Sequence, residues 1–533
     1  MCDESAEWDS SYCTKGQKFL YTQSPFPTSH LKRDSSCYLT FLDESPERAT
    51  VYPHLFNFTK NKIYGTSSIQ SRLQGSFQGQ EAGKKGASIF AHLVTGRSSS
   101  IRQSFADRAS QKGCYRFLNN EKVSELALIT ELTNRCSGFT KDRHLLVIQD
   151  TTSFNLNNHY YRLKKDSGVG CIEDNFTLGF FLHASLVMDS FTETVLGFSD
   201  VQLWHRKYQG PDRARKIKCL PIEQKESYKW IAACIGTKQR LKQAASITFI
   251  EDRDGDIYEQ FASVPDKKTH LIIRSCKQRK LADGSKLFDS LERQKQVGTY
   301  QIKVSRDKRA KKVERTALIQ VRYRKITITR PPEYFKKDIA ASIELYAVEA
   351  REVNHSSKDK ILWRLLTTHP VNCFDQALEI IQTYKKRWHI EQLFRLLKKQ
   401  GFGLEHSELE SGWAIRKLTV LALNATLRVM QLMYASADEG SQPLDEVFNE
   451  RQQQCLEQLN SQLSGKTIKQ SNLFKTKTLL WAKWIIARLG GWKAYQCEKP
   501  PGPITLKRGL DNFTQIFNGW CLALKYYEDV GTQ

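Results

Sequence analysis

The sequence has no run of 18 apolar residues, so nothing in it reads as a transmembrane helix. It has no CxxC pair: its 13 cysteines are odd in number and scattered. That argues against a disulfide framework and against a zinc ribbon, and fits a reducing cytoplasm. The opening residues, MCDESAEWDSSYC, lack an apolar stretch and do not read as a signal peptide. No internal repeat is visible. Acid is also in short supply, with 57 Asp and Glu against 81 Lys and Arg and a net charge of +24. A surplus of that size on a chain with no membrane span points to a polyanionic partner, nucleic acid first, although a merely basic enzyme has the same composition.

What is present is enough for folded domains. Hydrophobic residues make up 40% and aromatics 11% of 533 residues, too long a chain for one compact core. Residues 1–65 form an atypical leader rich in Ser, Thr, Tyr and Pro, with 7 Lys and Arg against 8 acids; it is expected to be disordered. Residues 66–143 read as a helical N-terminal region. Strand-like runs follow at LLVIQD (145–150), FFLHASLVM (180–188) and VLGFSDVQLW (195–204). A helical stretch (223–242) and another strand, SITFIED (246–252), come next. That order predicts an α/β core whose first part spans 144–261. Residues 262–370 are strand-rich with no comparable helix and read as an inserted β-domain. The core resumes at 371–410 with a helix, and 411–533 is mainly helical. The last helical run, 510–530, has an apolar face suited to the core or to a partner helix.

Within the β-domain, residues 299–330 hold 11 Lys and Arg against 2 acids, partly alternating with apolar residues. Alternation gives a strand one apolar and one basic face, either a solvated edge or a DNA-facing surface.

Three acids stand out. Asp150 follows an apolar run and leads into TTSFN, and Asp252 follows another and leads into RDGDIYE. An Asp there is often only a turn or cap residue. Two at the carboxyl ends of core strands lie where open α/β sheets bind ligands. The third is Glu391, a single acid among six bases in YKKRWHIEQLFRLLKKQ (384–400). On a helical wheel of about 100° per residue, Tyr384, Arg387, Glu391 and Lys398 fall within roughly 60°, beside the apolar face of Ile390, Leu393, Phe394 and Leu397. That stripe is either a solvated row containing an Arg387–Glu391 pair or a carboxylate held at a metal with phosphate-gripping neighbours. Three carboxylates can hold two Mg²⁺ ions, hard cations that favour oxygen, and two metals about 4 Å apart suit phosphodiester chemistry.

At these residues the chain resembles a known family. Tyr384, two residues, Arg387, three residues, Glu391, six residues and Lys398 reproduce the signature of the DDE transposases of the bacterial insertion-sequence-four family, which includes the transposon-five transposase. QDTTSF with Asp150 resembles the family's first Asp motif, and DRDGDIYE with Asp252 its second. Asp254 and Gly255 depart from that motif, and Asp256 is the rival aspartate. GCYRFLNNEKVS, KESYKW, LIIRSCKQRK, WRLLTTHPV and ARLGGW extend the likeness over roughly 66–530. A departure lies at FQGQEAGKKGASIFAHL, where family members have a Gly-Asp and a run of arginines; the leader 1–65 has no counterpart.

The resemblance implies a ribonuclease-H-like catalytic core with an inserted β-rich domain, flanked by a helical N-terminal DNA-binding domain and a helical C-terminal dimerisation domain. It implies Mg²⁺-dependent cut-and-paste transposition, with Mn²⁺ able to substitute. One strand would be nicked by water, the freed 3′-OH would attack the opposite strand to form a hairpin, a second water would open it, and the released 3′-OH would then join target DNA. Asp150, Asp252 and Glu391 would bind two metals, and Tyr384, Arg387 and Lys398 would contact end-DNA phosphates. Trp363 would stack on a flipped base, its other reading being a packed strand aromatic. Arg274 is a further candidate for a phosphate contact. The implied partners are double-stranded DNA, both transposon-end inverted repeats and target, and a second copy of the chain in a homodimeric synaptic complex, in a bacterial cytoplasm near the nucleoid. Two other readings stay open: a catalytically silent DNA-binding derivative, and a nuclease of the same core that cleaves without joining.

Overall fold

The computed structural model describes residues 101–530, apart from 105–106, 164–166, 174, 208–219, 305–313, 333–337, 354–359, 401, 436–443, 466–469 and 496–497. The expectations for the leader 1–65, for residues 66–100 and for FQGQEAGKKGASIFAHL lie outside the described residues.

Three helices come first: α1 (Ile101–Ser104), α2 (Arg108–Asn119) and α3 (Glu125–Ser137). The Asp107 and Ser124 side chains cap the second and third by accepting from Ser110 and Ala127 amides. The strands begin with β1 (His144–Asn155), β2 (Gly170–Cys171), β3 (Leu178–Asp189) and β4 (Val195–Trp204). Then come α4 (Tyr228–Arg240), β5 (Ser246–Glu251), α5 (Tyr258–Ser263) and β6 (Thr269–Arg274). A short α6 (Leu287–Glu292) precedes β7 (Gly298–Val304), β8 (Arg315–Thr329), β9 (Ser342–Glu352) and β10 (Leu362–Thr367).

These strands join one sheet in the order β2-β3-β1-β5-β6-β10-β9-β8-β7, with β4 paired to β3. β3 is antiparallel to both β1 and β4, whereas β1, β5 and β6 run parallel. This mixed sheet with helices on its faces is consistent with a ribonuclease-H-like core. β1 is covered on both faces, which is why LLVI is continuously apolar. Leu146, Ile148 and Ile250 point to one side, here the near face; Leu145, Val147, Ile247 and Phe249 point to the far face, under α4 and α5.

Two features differ from the strand-by-strand expectation. First, β1 does not stop at Asp150. It continues to Asn155 because β3 goes on supplying hydrogen-bond partners, with Asp150 opposite Ala184 and Asn155 opposite Gly179; only the parallel ladder with β5 ends, at Ile148–Ile250. Second, the sheet crosses residue 262 without a break. β6 pairs with β5 on one side and with β10 on the other, so the strand-rich segment continues the core sheet.

The basic strand lies inside this extension. β8 sits between β7 and β9, so it is not an edge. Its arginines meet acids of the protein: Arg315 pairs with Glu352 at 3.0 Å, Arg322 with the fully buried Glu349 at 3.0 Å, and Arg324 with Asp283 at 2.8 Å. Two of the basic side chains expected to face solvent or DNA, Arg315 and Arg322, therefore neutralise buried carboxylates.

The helices after the sheet are α7 (Phe374–Lys385), α8 (Trp388–Arg395), α9 (Gly412–Met433), α10 (Glu450–Leu463), α11 (Leu479–Leu489) and α12 (Pro503–Val530). α9 is apolar nearly all round and correspondingly buried. α11 stops at Gly490 and Gly491 as the Gly-Gly pair predicts; Gly491 has φ of 91°, the left-handed conformation that glycine adopts cheaply. α12 divides the two readings of its apolar face: Leu506 and Phe513 are core, while Leu522 is 69% exposed.

Candidate active site

The sheet brings the two aspartates together. β1 and β5 are parallel, with Ile148 opposite Ile250. Two residues further along each chain come Asp150 and Asp252, at one level and, by strand alternation, both toward the near face. There β1 leaves β5, and Asp252 becomes the cap of a one-turn helix, Arg253–Gly255, accepting from the Asp254 amide at 2.9 Å. Asp150 accepts from the Thr151 amide at 2.7 Å.

Glu391 arrives from the near-face helices. The run 384–400 is not the single regular helix of the wheel: α7 ends at Lys385, a turn intervenes, α8 starts after Arg387, and residues 396–400 widen into a π-helical turn. Such turns are frequent at functional sites. The stripe survives the break. Arg387 donates to Asp150 at 3.1 Å and to Glu391 at 2.5 Å, so one guanidinium joins the first and third acids. The predicted Arg387–Glu391 pair exists, and its extension to Asp150 was not visible in spacing.

Electrostatics tie the second acid to the same point. Burial pushes Asp150 up to about 8; Asp252 and Glu391 push the same way, while Arg387 opposes. Arg387 itself is held above its ordinary value despite burial, through Tyr384, Asp150, Glu391 and Asp252. Asp256, the rival aspartate, is fully enclosed and committed elsewhere. It accepts from Arg279, from Ser275 at 3.2 Å and from the Cys276 and Lys277 amides at 3.1 and 3.2 Å.

The remaining predicted residues surround this cluster. Tyr384 is the most enclosed, 4% exposed, and burial raises its phenol. Half-buried Trp363 packs edge-on against it, ring centroids 5.8 Å apart. Arg274 ends β6 and donates to the Leu362 carbonyl at 3.2 Å; burial lowers its pKa, and its neighbours include Tyr384, Arg387 and Asp252. Lys398 lies in the π turn with Nζ 5.5 Å from the ring centroid of Phe154, on the same strand face as Asp150.

Sequence reading missed Lys229. It stands at the start of α4, its side chain 14% exposed and 4.0 Å from Glu226. Its ammonium lies 5.4 Å from the Trp204 ring and feels Asp254 and Asp252, while burial lowers its pKa. KESYKW held the signal, but nothing in it says that α4 begins beside the carboxylates.

Among the described residues, no three His, Cys, Asp or Glu side chains close on one point as metal ligands. The donor chemistry nevertheless fits divalent cations. Three carboxylate-bearing residues, all hard oxygen donors, share one place: burial first, then Asp252 and Glu391, raises Asp150, and Arg387 is the positive charge that opposes them.

One prediction follows for the metal-free protein. Asp150 binds its proton more tightly folded than unfolded, so its contribution to stability is present below pH 4 and is lost as pH rises through about 8. Asp150→Asn, which stays neutral, is expected to match wild type below about pH 4 and to melt at progressively higher temperature than wild type from there toward pH 8. Calorimetry in EDTA checks this; curves that stay parallel across the range contradict it.

Residues 239–427 match the family model of the transposase DDE domain. The match covers β5 through most of α9 and leaves Asp150 upstream. Among solved structures, the chain is similar to a piggyBac transposase synaptic complex with hairpin DNA, at 8% identity and a TM-score of 0.33, over 87% of this chain and 69% of that one. No site residue is transferred at that level of likeness. Over the segment that carries Asp252, Tyr384, Arg387 and Glu391, this chain is similar to DDE transposases.

Proposed function

We propose that the chain is a DDE transposase of the insertion-sequence-four type that cuts DNA at transposon ends and joins the freed 3′-OH to target DNA, with a hairpin intermediate. The observation that carries this reading is the meeting of Asp150, Asp252 and Glu391 around Arg387, with Asp252, Arg387 and Glu391 inside the segment that matches a transposase domain and Asp150 upstream of it. Asp150, Asp252 and Glu391 would hold two divalent ions, Mg²⁺ or Mn²⁺, whose Lewis acidity stabilises charge on the reacting phosphate. The protein's own part is positioning. Arg387 has a planar fork suited to phosphate, and it gives up its carboxylate partners when DNA enters. Lys398 supplies a point charge at the outer end of the stripe. Trp363, backed by Tyr384, offers a ring for an extruded base. The surplus of +24 draws the polyanion in. Synapsis as a homodimer belongs to the same reading, as does work at bacterial chromosomal DNA. Among the described residues no helix is long and apolar enough to cross a membrane.

The test is strand cleavage on a duplex carrying the inverted repeats that flank the coding sequence. Nicks and 3′-OH transfer products in Mg²⁺ or Mn²⁺ support the reading. Binding without nicks in either ion makes the chain a silent derivative, and nicks without transfer products make it a nuclease.

Lys398→Ala is expected to weaken end binding and lower the slope of log affinity against log salt by about 1, as loss of one phosphate contact does. Fluorescence anisotropy across a salt series reads both; an unchanged slope removes Lys398 from the DNA contacts.

A further inference from the structure

We propose that Gln149 and Glu251, on the far face of the sheet, form with Cys234 and Gln260 a buried clamp that sets the spacing of Asp150 and Asp252. The proposal rests on the reading of those aspartates as catalytic and makes Gln149 and Glu251 positioning residues for the same cleavage.

Gln149 and Glu251 immediately precede the two aspartates. Strand alternation therefore turns them to the opposite face, and the parallel register sets them at one level. All four clamp side chains are fully buried. The Glu251 carboxylate accepts from Gln260 Nε2 at 2.5 Å and from Cys234 Sγ at 3.6 Å. Gln149 Nε2 donates to the same sulfur at 3.5 Å, and Gln260 Nε2 lies 3.8 Å from it. Cys234 belongs to α4 and Gln260 to α5, so both aspartate-bearing strands and the two helices behind them meet at one sulfur and one carboxyl group.

Packing alone does not account for polar groups here. Apolar residues suit this face, as Val147 and Phe249 show, and a buried carboxyl or amide is costly unless bonded. Bonding is also incomplete. Gln149 Oε1, Glu251 Oε2 and Gln260 Oε1 have no hydrogen-bond partner, nor have Ser185 Oγ, opposite Gln149 on β3, and His183 Nε2, opposite Thr151. Buried polar atoms left in this state call for an explanation; residues retained for position rather than stability supply one. Gly255 gives an independent sign. A Cβ there would stand 2.1 Å from Glu251 Oε2, so the turn that begins at Asp252 is seated on the Glu251 carboxyl. A shift of that carboxyl moves the turn with it.

The test compares Glu251→Ala, Glu251→Gln and Gln149→Met in the full chain. One arm is amide hydrogen exchange over 148–152 and 250–254, which needs neither metal nor DNA. The other is single-turnover nicking beside end-DNA affinity. Glu251→Ala is expected to speed exchange in both segments and to slow nicking about 10- to 100-fold, the usual loss for a residue that orients ligands, with end affinity held within about twofold. Gln149→Met moves both readouts the same way. Glu251→Gln, which keeps an acceptor oxygen for Gln260 and Cys234, recovers most of both losses. The clamp is overturned if exchange in the two segments is unchanged in Glu251→Ala, if Glu251→Gln falls as far as Glu251→Ala, or if end affinity falls in step with nicking. Failure of the wild type to nick would sink the catalytic reading, while the exchange arm still decides whether the clamp sets the strands.

Discussion

Glu391→Ala is expected to reduce nicking by about 10³-fold or more while end binding and folding stay close to wild type. The size follows from the role: losing several kcal/mol of charge stabilisation at about 1.36 kcal/mol per decade removes at least three decades. The selectivity follows from the place. The Glu391 side chain is 32% exposed, so its removal leaves no core cavity. Arg387 keeps its bond to Asp150 at 3.1 Å, and the lost i,i+4 pair is worth only about 0.3–0.5 kcal/mol. A structural salt bridge predicts the opposite pattern, a modest stability loss with nicking reduced only in proportion. Single-turnover nicking beside a thermal melt of the same sample separates the two. A variant that unfolds, or that still nicks at a tenth of the wild-type rate, ends the metal-ligand role for Glu391.

The sequence made the components of this site legible because each is a local signal. An apolar run ending in an acid marks a strand entering the carboxyl edge of a sheet, and that logic found both Asp150 and Asp252. The spacing of Tyr384, Arg387, Glu391 and Lys398 marked one side of a helix well enough to survive a turn at 386–387 and a π widening at 396–400. Long-range pairing was not legible. Nothing local says that Arg387 crosses from its helix to Asp150, that Lys229 stands beside Asp252, or that β6 pairs with both β5 and β10. The basic run 299–330 shows the same limit from the other side. Its charge was plain, but the acids that pair with three of its arginines, Glu349, Glu352 and Asp283, come from other parts of the sheet and its loops.

Arg387→Ala should make the protein's stability depend on divalent metal. In the metal-free state the guanidinium, 17% exposed, is bonded to both Asp150 and Glu391, and Asp252 lies close enough to raise Asp150 further. Above about pH 8, where Asp150 is ionised, deleting it leaves the buried Asp150 without its counter-charge, a change that costs about 3 kcal/mol or more when a buried pair is broken from one side. A bound cation replaces the missing charge, and at about 100 times its dissociation constant it returns roughly 2.7 kcal/mol. In EDTA the variant should therefore melt well below wild type, and added Mg²⁺ should raise its melting temperature more than it raises that of wild type, in which Arg387 competes with the metal for the same oxygens. Arg387→Lys should fall between: it keeps the charge but loses the fork that spans two carboxylates. Nicking by Arg387→Ala should stay low even with metal restored, because the phosphate contact has gone as well. If Mg²⁺ raises the two melting temperatures equally, the carboxylates do not share a cation with Arg387, and the acids that the sheet and helix bring together are a salt-bridge network rather than a metal site.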